Sequence, residues 1–333
     1  MPSDAERPKR VLSGSQLAAH SQERRATDWL ARVWERPNTG VLMLAQGKAP
    51  VTNVAQQSEG EIADYELHLH FSAPQGELPG QAVYLGEVVA EDTLESAEEH
   101  PIRHVVAVPA TTPPAGPPGA LDQTSLSWED LRRVGHQLPA VEAKLLTHAA
   151  ALTGWHASAA FCPGCGGVTE PRSSGWARSC MNCDAEHFPR TDPAVITAVT
   201  DADDRLLLGS AVLWDVRRYS TFAGFVEAGE SLEDAVVREV KEEAGVTVDR
   251  VEYVSSQAWP FPRSLMIGFF GRTRDVEAAA DLEEIREVRW FTRQELHDCV
   301  SRGSITLPAR SSISRGLIER WYGGPLERPG AHR

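Results

Sequence analysis

Nowhere in these 333 residues does an apolar run approach the roughly 18 residues of a membrane span. The opening MPSDAERPKRVLSGSQLAAHSQERRATDW is too polar for a secretory leader, so the chain reads as cytoplasmic and without a membrane partner. Positive charge is also short: 33 Lys and Arg stand against 47 Asp and Glu, a formal net charge of −14. That balance argues against a broad nucleic-acid footprint, which needs a basic surface. A phosphate ligand would call for divalent cations or a local group of arginines. Cysteine is scarce, and five in a chain without a leader favour metal over disulfides. Cys299 stands alone and reads as a buried structural thiol.

The other four cysteines form CPGC at 162–165 and CMNC at 180–183, two C-x-x-C knuckles with fourteen residues between them. Each knuckle turns two thiolates toward one point. Cys162, Cys165, Cys180 and Cys183 therefore satisfy one tetrahedral Zn²⁺ with no open position, a structural site. The metal would staple a segment too small to bury its own core.

Around this module the chain divides by composition, and its length suggests two or three domains. Residues 1–27 show no period and read as a mobile tail. Over 28–157, short runs such as GVLMLA, YELHLHF and HVVAVPA, broken by Gly, Pro and Asn, predict a β-rich N-terminal domain. A Pro/Gly-rich linker is expected near 111–125. Val141, Leu145, Ala149, Leu152 and Trp155 recur at helical spacing, which predicts an amphipathic helix from about 139 to 157 leading into the zinc module. His68 and His70 share a strand face, but no third ligand is near, so a solvated or hydrogen-bonded face is preferred over a metal site. The zinc ribbon takes 158–187 and a compact α/β domain 188–323, and 324–333 should fray.

The densest pattern is GFVEAGESLEDAVVREVKEEAGV, residues 224–246. It fits G-x5-E-x7-R-E-U-x-E-E-x-G-U, with U apolar, at Gly224, Glu230, Arg238, Glu239, Val240, Glu242, Glu243, Gly245 and Val246, a match whose chance frequency is on the order of 10⁻⁹. It reads as a loop followed by a helix, with Ser231 and Asp234 as an N-cap pair and Gly245 as a left-handed stop. Glu239, Glu242 and Glu243 fall on one stripe of that helix, while Leu232, Ala235, Val236 and Val240 fall mostly on the other side. Three unpaired acids on one stripe are unfavourable without cations, and Mg²⁺ or Mn²⁺ suits such hard oxygen donors. Arg238 should pair with Glu230 or another acid of the pattern.

This pattern is the Nudix box, and the chain resembles the Nudix hydrolase superfamily. Further on, SSQAWPFPRS at 255–264 is similar to the SQPWPFPxS signature of the NADH pyrophosphatase (NudC-type) subfamily, which orders an N-terminal domain, a four-cysteine zinc ribbon and a Nudix domain. The resemblance implies an α+β chain ending in a Nudix α/β/α sandwich with a mixed sheet. It implies metal-dependent hydrolysis of NADH or NAD to nicotinamide mononucleotide and AMP, removal of NAD caps from RNA 5′ ends, and a homodimer. Other nucleoside diphosphate derivatives such as ADP-ribose, or a catalytically weak nucleotide-binding protein, are the alternatives.

Residue by residue, the resemblance gives divalent-metal ligands at the Ala223 carbonyl, Glu239, Glu243 and Glu284, with Glu242 and Glu284 as candidates for the proton acceptor. In the second motif Pro260 and Pro262 stiffen the loop, Trp259 and Phe261 offer stacking rings, and Gln257, Arg263 and Ser264 offer donors. Ala258 stands where the signature has proline, which relaxes the loop before Trp259. Phe188 and Ser314 occupy substrate-contact positions by the same resemblance.

Overall fold

The computed structural model describes residues 17–55, 65–89, 94, 101–112 and 126–326. It separates into two compact units. One holds the described residues up to Arg190 together with Pro260–Arg263, and the other holds Thr191–Trp259 and the described residues from Ser264 on.

The first unit is built on a seven-stranded sheet. Its strands are β1 (Leu17–Ala18), β2 (Thr39–Ala45), β3 (Lys48–Ala55), β4 (Tyr65–Leu69), β5 (Val83–Val88), β6 (His104–Ala110) and β7 (Leu126–Asp130). They run in the order β1-β5-β6-β2-β3-β4, with β7 also on β3, and β2 and β6 are parallel. β2 is buried almost throughout because both faces are covered. Leu42 and Leu44 pack with Leu145, Leu146, Ala149 and Leu152 of the long helix α3 (Ala140–Ser158). Val41 packs on the other side with Trp29, Val33 and Trp34 of the short helix α1 (Trp29–Trp34), and α2 (Leu131–Val134) leads into α3. α3 confirms the helix read from its apolar spacing. His68 and His70 form no metal site: His68 Nδ1 lies 2.8 Å from the buried Glu142 Oε1, and the Leu69 N–H donates to Glu142 Oε2 at 2.6 Å. That carboxylate ties α3 to β4.

Residues 17–27 depart from the tail expected of them. Leu17 and Ala18 pair with Val88 and Glu87, the Ser174 hydroxyl donates to the Arg24 carbonyl, and the Arg24 guanidinium lies 3.9 Å over Trp176. Residues 1–16 of that tail, and 113–125 of the linker, lie outside the described residues.

The zinc module belongs to this unit as a sheet of three short strands, β8 (Thr169–Arg172), β9 (Ala177–Cys180) and β10 (Glu186–His187). α3 leads into it, as expected. His156, near the end of α3, reaches the Gly175 carbonyl and Arg178 Nη1, both at 2.8 Å, while Arg178 also donates to Thr169 Oγ1 and O at 2.6 Å.

The second unit is the expected α/β/α sandwich on a mixed sheet. Its strands are β11 (Asp192–Thr200), β12 (Leu206–Ala211), β13 (Phe222–Phe225), β14 (Arg250–Trp259), β15 (Ser264–Arg272) and β16 (Ile285–Phe291). The order is β14-β15-β11-β12-β16, with β13 on β11, and β11 and β15 are parallel. α4 (Leu232–Ala244) covers one face through Ala235, Val236, Val240 and Ala244. α5 (Arg293–Arg302) and α6 (Ile313–Tyr322) cover the other through Leu296, Val300, Leu317 and Ile318. β13 was not anticipated. Within the tail expected from 324 on, Leu326 is buried in the α5–α6 core, with its N–H on Glu319 and its carbonyl on Arg315, whereas 327–333 lie outside the described residues.

Candidate active site

α4 begins as its sequence dictates. Ser231 Oγ accepts the Asp234 N–H at 3.1 Å and bonds its carboxylate at 2.6 Å, and Gly245 ends the helix at φ 68°. β13 lies beside this helix through its pairing with β11, so Ala223 and Gly224 meet the acidic stripe. The Ala223 N–H donates to Glu243 Oε2 at 3.2 Å. Gly224 is required for room: a Cβ there would sit 1.9 Å from Glu239 Cδ. Gly224→Ala should therefore displace Glu239 and lower kcat/KM by about a hundredfold, the scale of an ångström's misplacement. A variant with near wild-type kcat/KM would show that Glu239 is not needed where it stands.

Arg238 organises the loop and the acids together. Its Nε and Nη2 grip both oxygens of Glu230 at 2.9 Å, Nη2 also donates to the Phe225 carbonyl, and Nη1 reaches Glu239 and Glu242 at 2.8 and 3.0 Å. The Arg238 fork holds the Glu230 carboxyl at about 2. Glu239 and Glu243 behave oppositely. Burial raises both, and the Glu243 carboxyl is pushed up to about 8, with the charges of Glu239, Glu284 and Asp281 adding to the effect against the Ala223 N–H. A buried carboxyl with acids on several sides and no cationic partner on it in this structure is the environment a hard divalent cation relieves. Among the described residues the four cysteines are the one group of three or more ligand-type side chains whose atoms converge within 4.8 Å. The acids of the box do not close up that far, and Arg238 holds two of them.

Glu243, Glu284 and Ala223 line one end of a cleft of about 620 Å³. Glu284 is exposed, on a turn shaped by Asp281, whose carboxylate accepts the N–H groups of Glu283, Glu284 and Ile285. Glu287 is outside the lining and bonds Tyr219. Trp259, Gln257 and Ser314 also line the cleft, but only the tryptophan presents a free-standing group. Gln257 Nε2 donates to the Ser311 carbonyl at 2.6 Å and its Oε1 accepts the Ile313 N–H at 2.8 Å. Ser314 is buried against the Ser220 and Thr221 hydroxyls, at 2.8 Å from each. These two residues hold α6 to the sheet, a use that replaces the substrate contacts expected of them.

Several motif positions lie outside the cleft lining. Phe261 packs against the core of the first unit, with the Arg132 guanidinium 4.1 Å over its ring. It is not a stacking ring of this cleft. Pro260 and Phe261 belong to the hairpin tip between β14 and β15, with Pro262 and Arg263 exposed there. Ala258 is exposed opposite Leu265 on an edge strand, and Ser264 is a buried sheet residue paired with Trp259. Phe188 is exposed and lines a separate cleft of about 670 Å³ in the first unit. Sequence reasoning missed Trp214 and Arg218, which line the active cleft with the guanidinium 4.5 Å over the indole. The loop LWDVRR carries them with no signal beyond one exposed aromatic among charges.

In the zinc module the sulfur atoms of Cys162 and Cys183, Cys165 and Cys180, and Cys165 and Cys183 lie 3.8, 3.5 and 3.4 Å apart. Tetrahedral bonds of about 2.3 Å require sulfurs roughly 3.8 Å apart, so the cage fits zinc. Asn182 donates its backbone N–H to Cys180 Sγ and its amide to Cys165 Sγ. The Asn182 amide and the Gly167 N–H hold the Cys165 thiol at about 6. Gly167 passes so close to the cage that a Cβ there would meet Asn182 at 2.7 Å and Cys180 Sγ at 3.1 Å.

A glutamate-striped helix capped by the box loop, on an α/β/α sandwich, defines a Nudix hydrolase. The matching family models agree: NUDIX domain over 190–310, NADH pyrophosphatase zinc ribbon domain over 157–188, and NADH pyrophosphatase-like rudimentary NUDIX domain over 39–155. The chain is 40% identical over 252 residues to "NAD-capped RNA hydrolase NudC" of Mycobacterium tuberculosis, covering 73% of this chain and 76% of the relative. It is 39% identical over 216 residues to the protein of the same name from Stutzerimonas stutzeri, at 65% and 73% coverage. A crystal structure of a NUDIX hydrolase from Nitrosomonas europaea matches at 25% identity, TM-score 0.36, 50% of this chain and 96% of that one. The chain belongs to the NADH pyrophosphatase (NudC-type) family of Nudix hydrolases.

Proposed function

We propose that the protein hydrolyses the pyrophosphate bond of NADH or NAD⁺ to nicotinamide mononucleotide and AMP, and removes the same mononucleotide from NAD-capped RNA. The observation that carries this reading is one cleft running from the buried Glu243 to Trp259. It offers acids for a cation at one end and a flat ring for a base or nicotinamide at the other, within the usual volume of a small-molecule site, about 300–1,000 Å³. Only the cap needs to enter, so the net acidity of the chain is no obstacle. The names of the mycobacterial and Stutzerimonas relatives support the same substrates.

Glu239, Glu243, Glu284 and the Ala223 carbonyl would hold Mg²⁺ or Mn²⁺, which when bound polarises a phosphoryl oxygen and neutralises the leaving phosphate. Glu242 or Glu284 accepts the proton of the attacking water. Arg238 fixes the box loop to the acidic stripe, and Gln257 holds the start of α6 against the cleft. In this reading the protein works in the cytoplasm as a homodimer, both on the strength of the resemblance; sedimentation at monomer mass would remove the dimer.

The test is product analysis with Mg²⁺ or Mn²⁺ on NADH, NAD⁺, ADP-ribose and NAD-capped RNA. AMP from NADH, and RNA ending in a 5′-monophosphate, are expected. No AMP from NADH overturns the reading, and faster turnover of ADP-ribose would transfer the activity to that substrate.

A further inference from the structure

Four arginines converge on a second cleft of the Nudix unit, of about 340 Å³. Arg250 opens β14, Arg272 closes β15, Arg293 opens α5 and Arg320 lies in the last turn of α6. Arg250 and Trp259 stand at opposite ends of the ten-residue strand β14, about 30 Å apart by strand rise, so this cleft is separate from the active one. With 33 Lys and Arg in 333 residues, nine lining positions would carry about one basic residue by composition. Four carry arginine here, against the two acids Asp204 and Glu252.

The arginines are of two kinds. Arg293 is fixed: Nε and Nη2 donate to the Trp321 carbonyl at 3.1 and 2.8 Å, and Nη1 to Asp204 at 2.8 Å. Arg272 shares the same aspartate at 3.4 Å. Arg250 and Arg320 have no carboxylate partner among the described residues, and both are exposed. Arg320 leans over the Phe270 ring, 5.8 Å from its centroid. One carboxylate between two guanidinium groups, and two more guanidinium groups with none, leave an electropositive cleft in a strongly acidic chain.

We infer that this cleft is a second binding site, for the phosphate group of a nucleotide-sized phosphate ester. Guanidinium forks match phosphate oxygens two at a time, which an ammonium cannot do, and all four basic residues here are arginine. The Phe270 face beside Arg320 gives a base something to lie on. A free mononucleotide and a phosphodiester of an RNA chain both present this chemistry.

Calorimetric titration tests it on the zinc-loaded full chain without added Mg²⁺, using inorganic phosphate, 5′-AMP and a short 5′-hydroxyl oligoribonucleotide against wild type and R250Q/R320Q. Neither residue belongs to the active cleft, so NADH turnover should be unchanged in the variant, and binding is read directly, whatever the fate of the catalytic reading. The wild type is expected to bind one more phosphate ligand per chain than the variant, with affinity falling about tenfold for each arginine removed and with added KCl. Extra binding of AMP or phosphate identifies a free nucleotide as the ligand, and extra binding of the oligoribonucleotide alone identifies the RNA chain. Equal stoichiometry and affinity in both proteins for all three probes overturns the proposal.

Discussion

Glu243→Gln is expected to remove hydrolysis while raising the melting temperature of the protein at pH 8 in the absence of divalent cations. The side chain is buried and its carboxyl is pushed from the ordinary 4.5 up to about 8, chiefly by burial. Between those values the folded chain holds a proton that the unfolded chain has released. Stability is therefore full below the unfolded pKa and is lost as pH rises toward the folded one. Glutamine keeps the Ala223 N–H bond and carries no charge, so this loss disappears. A gain of a few degrees at pH 8, and almost none at pH 4, is the predicted pattern. Adding Mg²⁺ should stabilise the wild type and leave the variant nearly unmoved. With NADH as substrate, kcat should fall about a thousandfold or more, because the cation that would neutralise the leaving phosphate loses a ligand. Near wild-type turnover would sink the catalytic assignment. Identical melting curves against pH would show that the buried charge is compensated without a cation.

What could be read from the chain in advance was whatever is local. The box fixes its own helix: cap, stop, apolar side and acidic stripe all lie within 224–246, and α4 reproduces each of them. The zinc cage is equally local, two knuckles whose turns set their own geometry. The failures depend on partners far along the chain. The amide of Gln257 is spent on Ser311 and Ile313, more than fifty residues on, and nothing near 257 signals that. β1 is two residues long and exists only through Val88 and Glu87; a pair of residues has no period to read. Phe261 and Trp259 look interchangeable in a Pro/aromatic loop, yet the first packs with the N-terminal core and the second faces the cleft. Four residues of β13, glycine among them, were too few to compete with the loop signal of the box that follows.

Loss of zinc should collapse the module at 157–188. The three strands β8–β10 span four, four and two residues, and large apolar side chains of this segment, Phe161, Val168 and Met181, face solvent. Cys162 and Cys180 are buried, so the sulfur cage takes the place of an apolar core. A four-thiolate zinc contributes about 10–16 kcal/mol of apparent binding free energy near pH 7, as much as the entire stability of an ordinary domain, about 5–15 kcal/mol. No rearrangement of so few buried groups replaces that. Cys180→Ser, or exhaustive chelation, should therefore eliminate bound zinc and open 157–188 to protease and to amide exchange. Because Arg178 and His156 tie the module to α3, exchange should also quicken at the C-terminal turn of that helix, while the core around Leu145 and Leu146 stays protected. Cys299→Ser is the control: Cys299 lies in the α5–α6 core, and zinc content should be unchanged. Retention of protection across 157–188 in the zinc-free protein would mean that hydrogen bonds such as those of Arg178 to Thr169, and not the metal, hold the ribbon together.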